Sequence, residues 1–148
     1  MRRKKGQAIV EMALVFPFFL LIIVGGIIDF GFAIFNSLTL QQIANDSAQW
    51  AAENRKTETE DIKNYITGVT TGKNKIPGWW RTENFATPIV APVELDSGGT
   101  VVKVFLSYES PTYTPFYQAM LKGASGSSAI KLSALASYKI PQHVYTKM

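Results

Sequence analysis

The chain has 148 residues, with 15 Lys and Arg against 11 Asp and Glu, and no cysteine. That length holds one small domain, and the lack of cysteine excludes a disulfide framework and thiolate metal sites. Arg2, Arg3, Lys4 and Lys5 supply the whole basic excess, and from Gln7 onward the charges balance at 11 to 11, which excludes the basic folded face of a nucleic-acid binder.

After the basic residues, Met12 to Phe35 reads MALVFPFFLLIIVGGIIDFGFAIF, with Asp29 as its one charge. As a helix this run spans about 36 Å. A hydrocarbon core about 30 Å thick needs roughly 20 apolar residues, so the run predicts a tilted transmembrane helix over about residues 12–35. It outlasts the apolar region of a signal peptide, and no small-residue cleavage site follows it. A buried core helix is the competing reading, but a domain this small has little material to cover a helix on all sides. The four basic residues lie before the span and no Lys or Arg follows it until Arg55. The positive-inside rule then puts the N-terminus in the cytoplasm and the rest outside.

Three residues interrupt the apolar run. Glu11 sits at its inner boundary. Pro17 removes a helical donor and favours a kink, which membrane helices tolerate when neighbours satisfy the freed carbonyl. Asp29 lies about 27 Å beyond Glu11 along a helix, near the outer interface, where a carboxylate costs less than at mid-bilayer. It reads either as a hydrated headgroup-level residue or as a membrane polar contact to a partner helix.

Beyond the span, Leu40, Ile43, Ala44, Ser47, Ala48 and Ala51 recur at three- and four-residue spacing, so the helix continues to about residue 56. This stripe of small residues reads as a core face, with an oligomer seam as the alternative. Thr59–Val69 predicts a short second helix, with Thr57 or Thr59 as its cap. Gly72–Gly78 reads as a loop. Trp79-Trp80 reads as packing material, against a partner-binding knob or a membrane-interface anchor. Ile89–Leu95 reads as a strand that Pro92 restricts to an edge, and Ser97-Gly98-Gly99 as the following turn. Val101–Tyr108 and Ile130–Ile140 alternate with a period of two, the mark of half-buried antiparallel strands. Val102, Val104, Leu106 and Tyr108 face one way, as do Ile130, Leu132, Ala134, Ala136, Tyr138 and Ile140. Ser110–Phe116 and Gly123–Ser128 read as loops. The whole is an α+β chain: a long helix carrying a short second helix and a small antiparallel sheet.

No enzyme emerges from this pattern. The single histidine, His143, stands near the C-terminus, and the carboxylates have no metal-ligand spacing. There is no phosphate loop or nucleophile elbow. No cofactor or metal is expected. Asn45-Asp46-Ser47 matches a glycosylation sequon but falls on the helix.

The N-terminal run GQAIVEMALVFPFFLLIIVGGIIDFGFAIF resembles the TadE-like minor pilins of the tight-adherence (Tad/Flp) type IV pilus system. The short basic leader ending in Gly6, Glu11 five residues on, the A-L-V-x-P step at Ala13–Pro17 and the I-I-D-F-G exit at Ile27–Gly31 carry the likeness. Ile43–Arg55, Thr100–Tyr108 and Ile130–Ile140 are more weakly similar to that family's alanine-rich helix and C-terminal strand pair. Met12 departs from the pattern, since members usually carry Phe or Tyr after the glutamate.

The resemblance implies a pilin-like fold with residues 1–6 as a cytoplasmic leader, 7–56 as the long helix and 57–148 as an extracytoplasmic domain. It implies cleavage between Gly6 and Gln7 by a membrane prepilin peptidase. It further implies pairing of Glu11 with an N-terminal amine during assembly; apart from the family, a glutamate in a first helical turn is simply favoured by the macrodipole. The implied partners are the membrane, that peptidase, a major pilin and a second minor pilin, in an oligomeric or heteromeric assembly at the cytoplasmic membrane or in the pilus. The implied function is pilus assembly or initiation, and hence adhesion. An unprocessed single-pass scaffold is the alternative from the residues alone. A pseudopilin of a secretion or competence system is a third, though its span lacks the I-I-D-F-G exit.

Overall fold

The computed structural model describes residues 2–80, 88–90 and 93–141, with side chains from Gly6 onward. Helix α1 (Arg2–Asn54) runs through Pro17 without a break and would measure about 80 Å at 1.5 Å per residue. It begins five residues before the expected Gln7 and ends two before residue 56. Its end is set by Arg55, which adopts φ 54°. The Lys56 amide then reaches back to the Ala51 carbonyl at 2.9 Å, the six-residue bond of a Schellman cap.

Two further helices and four strands follow: α2 (Thr59–Thr67), β1 (Ile89–Val90), β2 (Glu94–Leu95), β3 (Val101–Pro111), α3 (Pro115–Ser125) and β4 (Ala129–Lys139). β3 and β4 pair antiparallel along their whole length, from Val101 opposite Lys139 to Pro111 opposite Ala129. β1 and β2 both pair antiparallel with β3. Since β4 fills one edge of β3, these two short strands share the other.

The expected period-two faces hold except at Tyr138, which is exposed. Val102, Val104, Leu106 and Tyr108 are buried, with Ala134, Ala136 and Ile140 beside them. Register matches bulk to space: Val104 stands opposite Ala136 and Leu106 opposite Ala134. The alanines of β4 thereby leave room for α1, whose own Ala44, Ala48, Ala51 and Ala52 are buried in the same core. The small-residue stripe of α1 is therefore a core face. α2 closes the far end with Ile62, Tyr65 and Ile66, and Trp50 stacks on Tyr65 with ring centroids 4.6 Å apart.

Four local expectations change. The strand expected at Ile89–Leu95 is two short pieces, with Pro92 outside the described residues. Neither Thr57 nor Thr59 caps α2: its N-cap is Glu58, without a side-chain bond, and it stops at Gly68 in left-handed conformation. The Ser110–Phe116 stretch is no continuous loop, because β3 extends through Pro111. Most of Gly123–Ser128 and the residues before it belong to α3 or its cap. Thr114 takes the extended N-cap conformation with Pro115 at the first helical turn, where a missing amide costs nothing and proline's fixed φ suits the helix.

The adjacent tryptophans divide. Trp80 is 2 % exposed and stacks on Tyr108 at 3.9 Å, whereas Trp79 is half exposed beside Phe35. The Trp80 indole donates to Asn36 Oδ1 at 2.9 Å, and the Asn36 amide donates to Ser110 Oγ at 2.9 Å. A buried polar chain thus joins α1, the loop after α2 and β3, each member supplying what the next lacks.

Two outcomes test this packing. Gly68 has φ +85°, and a Cβ there would stand 2.6 Å from the Asn74 backbone nitrogen. Gly68→Ala is expected to lower stability by more than about 1 kcal/mol, read as a drop in melting temperature of the full chain in detergent. Burial, with the Tyr113 hydroxyl a lesser cause, pushes the Tyr108 phenol up to about 12 from its ordinary 10.0. The unfolded chain releases this proton first as pH rises, so stability is full below pH 10 and falls between pH 10 and 12. Chemical denaturation across that range should show the loss, and Tyr108→Phe should reduce it.

Candidate functional site

The four residues singled out from sequence lie at two places on α1. Gly6, Gln7 and Glu11 occupy its bare N-terminal end. Residues 6–17 are exposed, and the first cover from the rest of the described chain comes at Phe18 to Val24, from Phe116 and Tyr117 of α3. Gln7 Nε2 donates to Glu11 Oε1 at 3.2 Å, one helical turn apart. The Gly6–Gln7 peptide lies within the helix, and a Cβ on Gly6 would meet nothing within 4 Å. Pro17 sits in the same uncovered stretch, where its ring opposes the carbonyl of Ala13.

Asp29 behaves differently from both expectations. It is neither hydrated nor turned toward a partner helix: it is 2 % exposed and its contacts are within the chain. Oδ1 accepts the Tyr113 amide at 2.7 Å and the Thr114 amide at 3.2 Å. Oδ2 accepts the Thr114 amide at 3.3 Å and, more closely, the Thr114 hydroxyl. An N-cap threonine ordinarily offers its oxygen to an amide of its own helix. Here that hydroxyl is given to Asp29, which places a carboxylate at the N-terminus of α3, where the helix dipole favours it.

Two glycines make this landing possible. A Cβ at Gly26 would stand 2.6 Å from the Tyr117 hydroxyl oxygen, and one at Gly25 would stand 3.3 Å from Thr114 Cγ2. Without them, Tyr117 reaches between turns of α1 and donates to the Ile22 carbonyl at 3.2 Å. Phe30 meets the Tyr117 ring edge-on at 5.8 Å, and Phe32 meets Tyr113 at 4.9 Å. The loop itself is braced from behind. Thr112 Oγ1 donates to the Ser128 carbonyl at 2.6 Å, and Gln118 Nε2 to the Thr112 carbonyl at 2.7 Å. Asp29, Gly25, Gly26, Thr114 and Tyr117 therefore form a joint that fixes the domain's lower end on the helix. Of these, sequence reading singled out Asp29 alone. The available signals were the Gly-Gly pair three residues before Asp29, and the Thr-Pro start of α3.

Among the described residues, no group of three or more His, Cys, Asp or Glu side chains could hold a metal; His143 lies outside them. What the arrangement offers is an anchor and a joint: a long apolar helix, bare below and clasped above. α1 is long and apolar enough to cross a membrane.

Residues 6–49 match the family model described as TadE-like protein. The match begins at Gly6, runs through Asp29 and ends within the core stripe, before the sheet. No curated protein and no solved structure matches the chain.

The joint has a direct test. Removing the Asp29 carboxylate leaves the Tyr113 and Thr114 amides without their acceptor, at a cost on the order of 1–3 kcal/mol. Asp29→Ala should lower the melting temperature of the full chain in detergent, with Asp29→Asn falling between it and the native chain. Equal stability of all three would dismiss the joint as a determinant of the fold.

Proposed function

We propose that this chain, TadE-like over residues 6–49, is a processed minor pilin that takes part in building or starting a tight-adherence pilus. The observation that carries the reading is the Gly6–Glu11 spacing at the head of a helix whose first turns are exposed. An inert anchor needs neither residue. Insertion leaves the basic residues in the cytoplasm. A prepilin peptidase cuts between Gly6 and Gln7, and the bare helix then packs sideways against the helices of a major pilin and other minor pilins.

The local chemistry supports each step. The bond to be cut lies in a helix, so a peptidase must first open the turn around it. Glycine lowers that cost, because it is about 1 kcal/mol less helix-stabilising than alanine. Cleavage removes four cationic side chains and creates an amine on Gln7. Glu11, one turn away, then lies within reach of that amine or of one on a neighbouring subunit. In an apolar surrounding such pairing offsets the desolvation of both charges.

Intact mass and N-terminal sequencing of the protein from its native membrane decide the reading. A chain beginning at Gln7 only when the prepilin peptidase is present is the expected result. Gly6→Ala, which meets no steric obstacle, should retain the leader while the domain stays folded. Glu11→Ala should still be cut but fail to enter the pilus. A native chain that keeps Arg2 to Gly6 in either background would leave an unprocessed membrane scaffold as the better account.

A further inference from the structure

From the depth at which α3 meets α1, we infer that α3 and the loop before it sit in the outer leaflet of the bilayer, against lipid acyl chains. The inference rests on α1 crossing the membrane, and not on cleavage or on pilus assembly.

Counting up from Glu11 at about 1.5 Å per residue, a hydrocarbon core about 30 Å thick ends near Gly31. The domain reaches below that level. Tyr117 bonds the Ile22 carbonyl, which lies about 13 Å beneath the boundary. Between the two helices runs an apolar groove lined by Phe18, Leu21, Ile22, Val24, Pro115 and Phe116. Phe116 therefore stands alongside turns of α1 that are themselves lipid-facing.

The surface of α3 agrees with that position. No residue of this helix is buried within the chain, and its sequence, PFYQAMLKGAS, has a single charge. Phe116 is 50 % exposed and Met120 47 %. Four residues apart on one helix, the two side chains form a single apolar patch, which in water marks an interaction surface and in a leaflet is ordinary. Lys122 stands in the last turn, where its long stem lets the ammonium reach the headgroups. The backbone of the preceding loop is closed off from lipid, since Asp29 takes the Tyr113 and Thr114 amides and Gln118 serves the Thr112 carbonyl, as a non-helical segment at membrane depth requires.

A second observation concerns the rings at the upper boundary, of which Trp79 lies outside α3 and its loop. Trp79 and Tyr113 are the half-exposed partners of Phe35 and Phe32 respectively. Both rings fall just above the boundary counted from Glu11, at the level where Trp and Tyr collect in membrane proteins.

The chain has no cysteine, so single labels can be placed without removing any. Phe116→Cys, Met120→Cys, Leu21→Cys and Ser97→Cys, each carrying an environment-sensitive fluorophore, would be reconstituted as full chains in vesicles of phosphatidylethanolamine and phosphatidylglycerol. Labels at 116 and 120 are expected to lose fluorescence to lipids bearing a nitroxide high on the acyl chain, as the label at 21 does to lipids bearing one deeper. They should resist aqueous iodide, which should quench the label at 97. Iodide quenching at 116 and 120 would overturn the inference by placing α3 in water. Silence toward both quenchers would overturn it too, by placing protein, such as a second copy of the chain, over the helix. If the label at 21 also escapes lipid quenching, the membrane span itself fails, and the two failures remain distinct.

Discussion

The carboxylate of Asp29 accepts two backbone amides and a hydroxyl from a loop 84 and 85 residues further along the chain. That clasp fixes the lower end of the domain on α1, beneath the packing of β3 and β4 on the same helix. A carboxylate removed from water must find donors or lose its charge. Its donors among the described residues are the Tyr113 and Thr114 amides and the Thr114 hydroxyl, so the start of α3 is held to one turn of α1. There Gly25 and Gly26 let Tyr117 approach the helix backbone, while β3 and β4, which flank α3 in sequence, pack along the upper part of α1.

From that clasp upward the chain is an ordinary α+β packing problem. The sheet offers large residues from β3 and small ones from β4; the helix offers alanines and Leu40. The two surfaces fit because bulk on one strand is matched by space on its neighbour, as Leu106 is by Ala134. Two of the polar exceptions on the helix face are used rather than tolerated. Asp29 joins the loop before α3, and Asn36 joins Trp80 to Ser110. Below the clasp there is no such problem to solve: residues 6–17 are exposed, and the lowest contacts of the domain are those of α3 with Phe18 to Val24. The part that matches the TadE-like family and the part that forms the core of the domain overlap only along Leu40–Gln49 and the joint beneath it.

Where sequence patterns were periodic, they were sufficient. The apolar run encodes a long helix, and the alanine stripe and the alternation in β3 and β4 each encode a face, found everywhere but at the exposed Tyr138. α3 was hidden because Pro111, Pro115 and Gly123 mark a loop when read as breakers, although proline after an extended threonine is also a helix start. The role of Asp29 was hidden for a different reason. Its acceptors and donors are local chemistry, but the pairing spans more than half the chain, and no spacing in a sequence announces a contact that only the completed sheet brings about. Trp79 and Trp80 show the same limit at short range: neighbours in sequence, they point to different surroundings because one meets Asn36 and Tyr108 while the other meets Phe35.

The division of α1 into a bare and a clasped part also has a mechanical side. A pull on the N-terminal end along the helix axis loads the contacts between α1 and the domain in parallel, as sliding rather than peeling, and bonds loaded that way share the force. The lowest of them, Tyr117 on Ile22 and Thr114 on Asp29, feel it first. Pro17 lies below all of these, so bending of the helix can be taken up there without tilting the domain. The chain is in this sense a clasped head on a continuous shaft, with Pro17 inside the stretch that is left exposed.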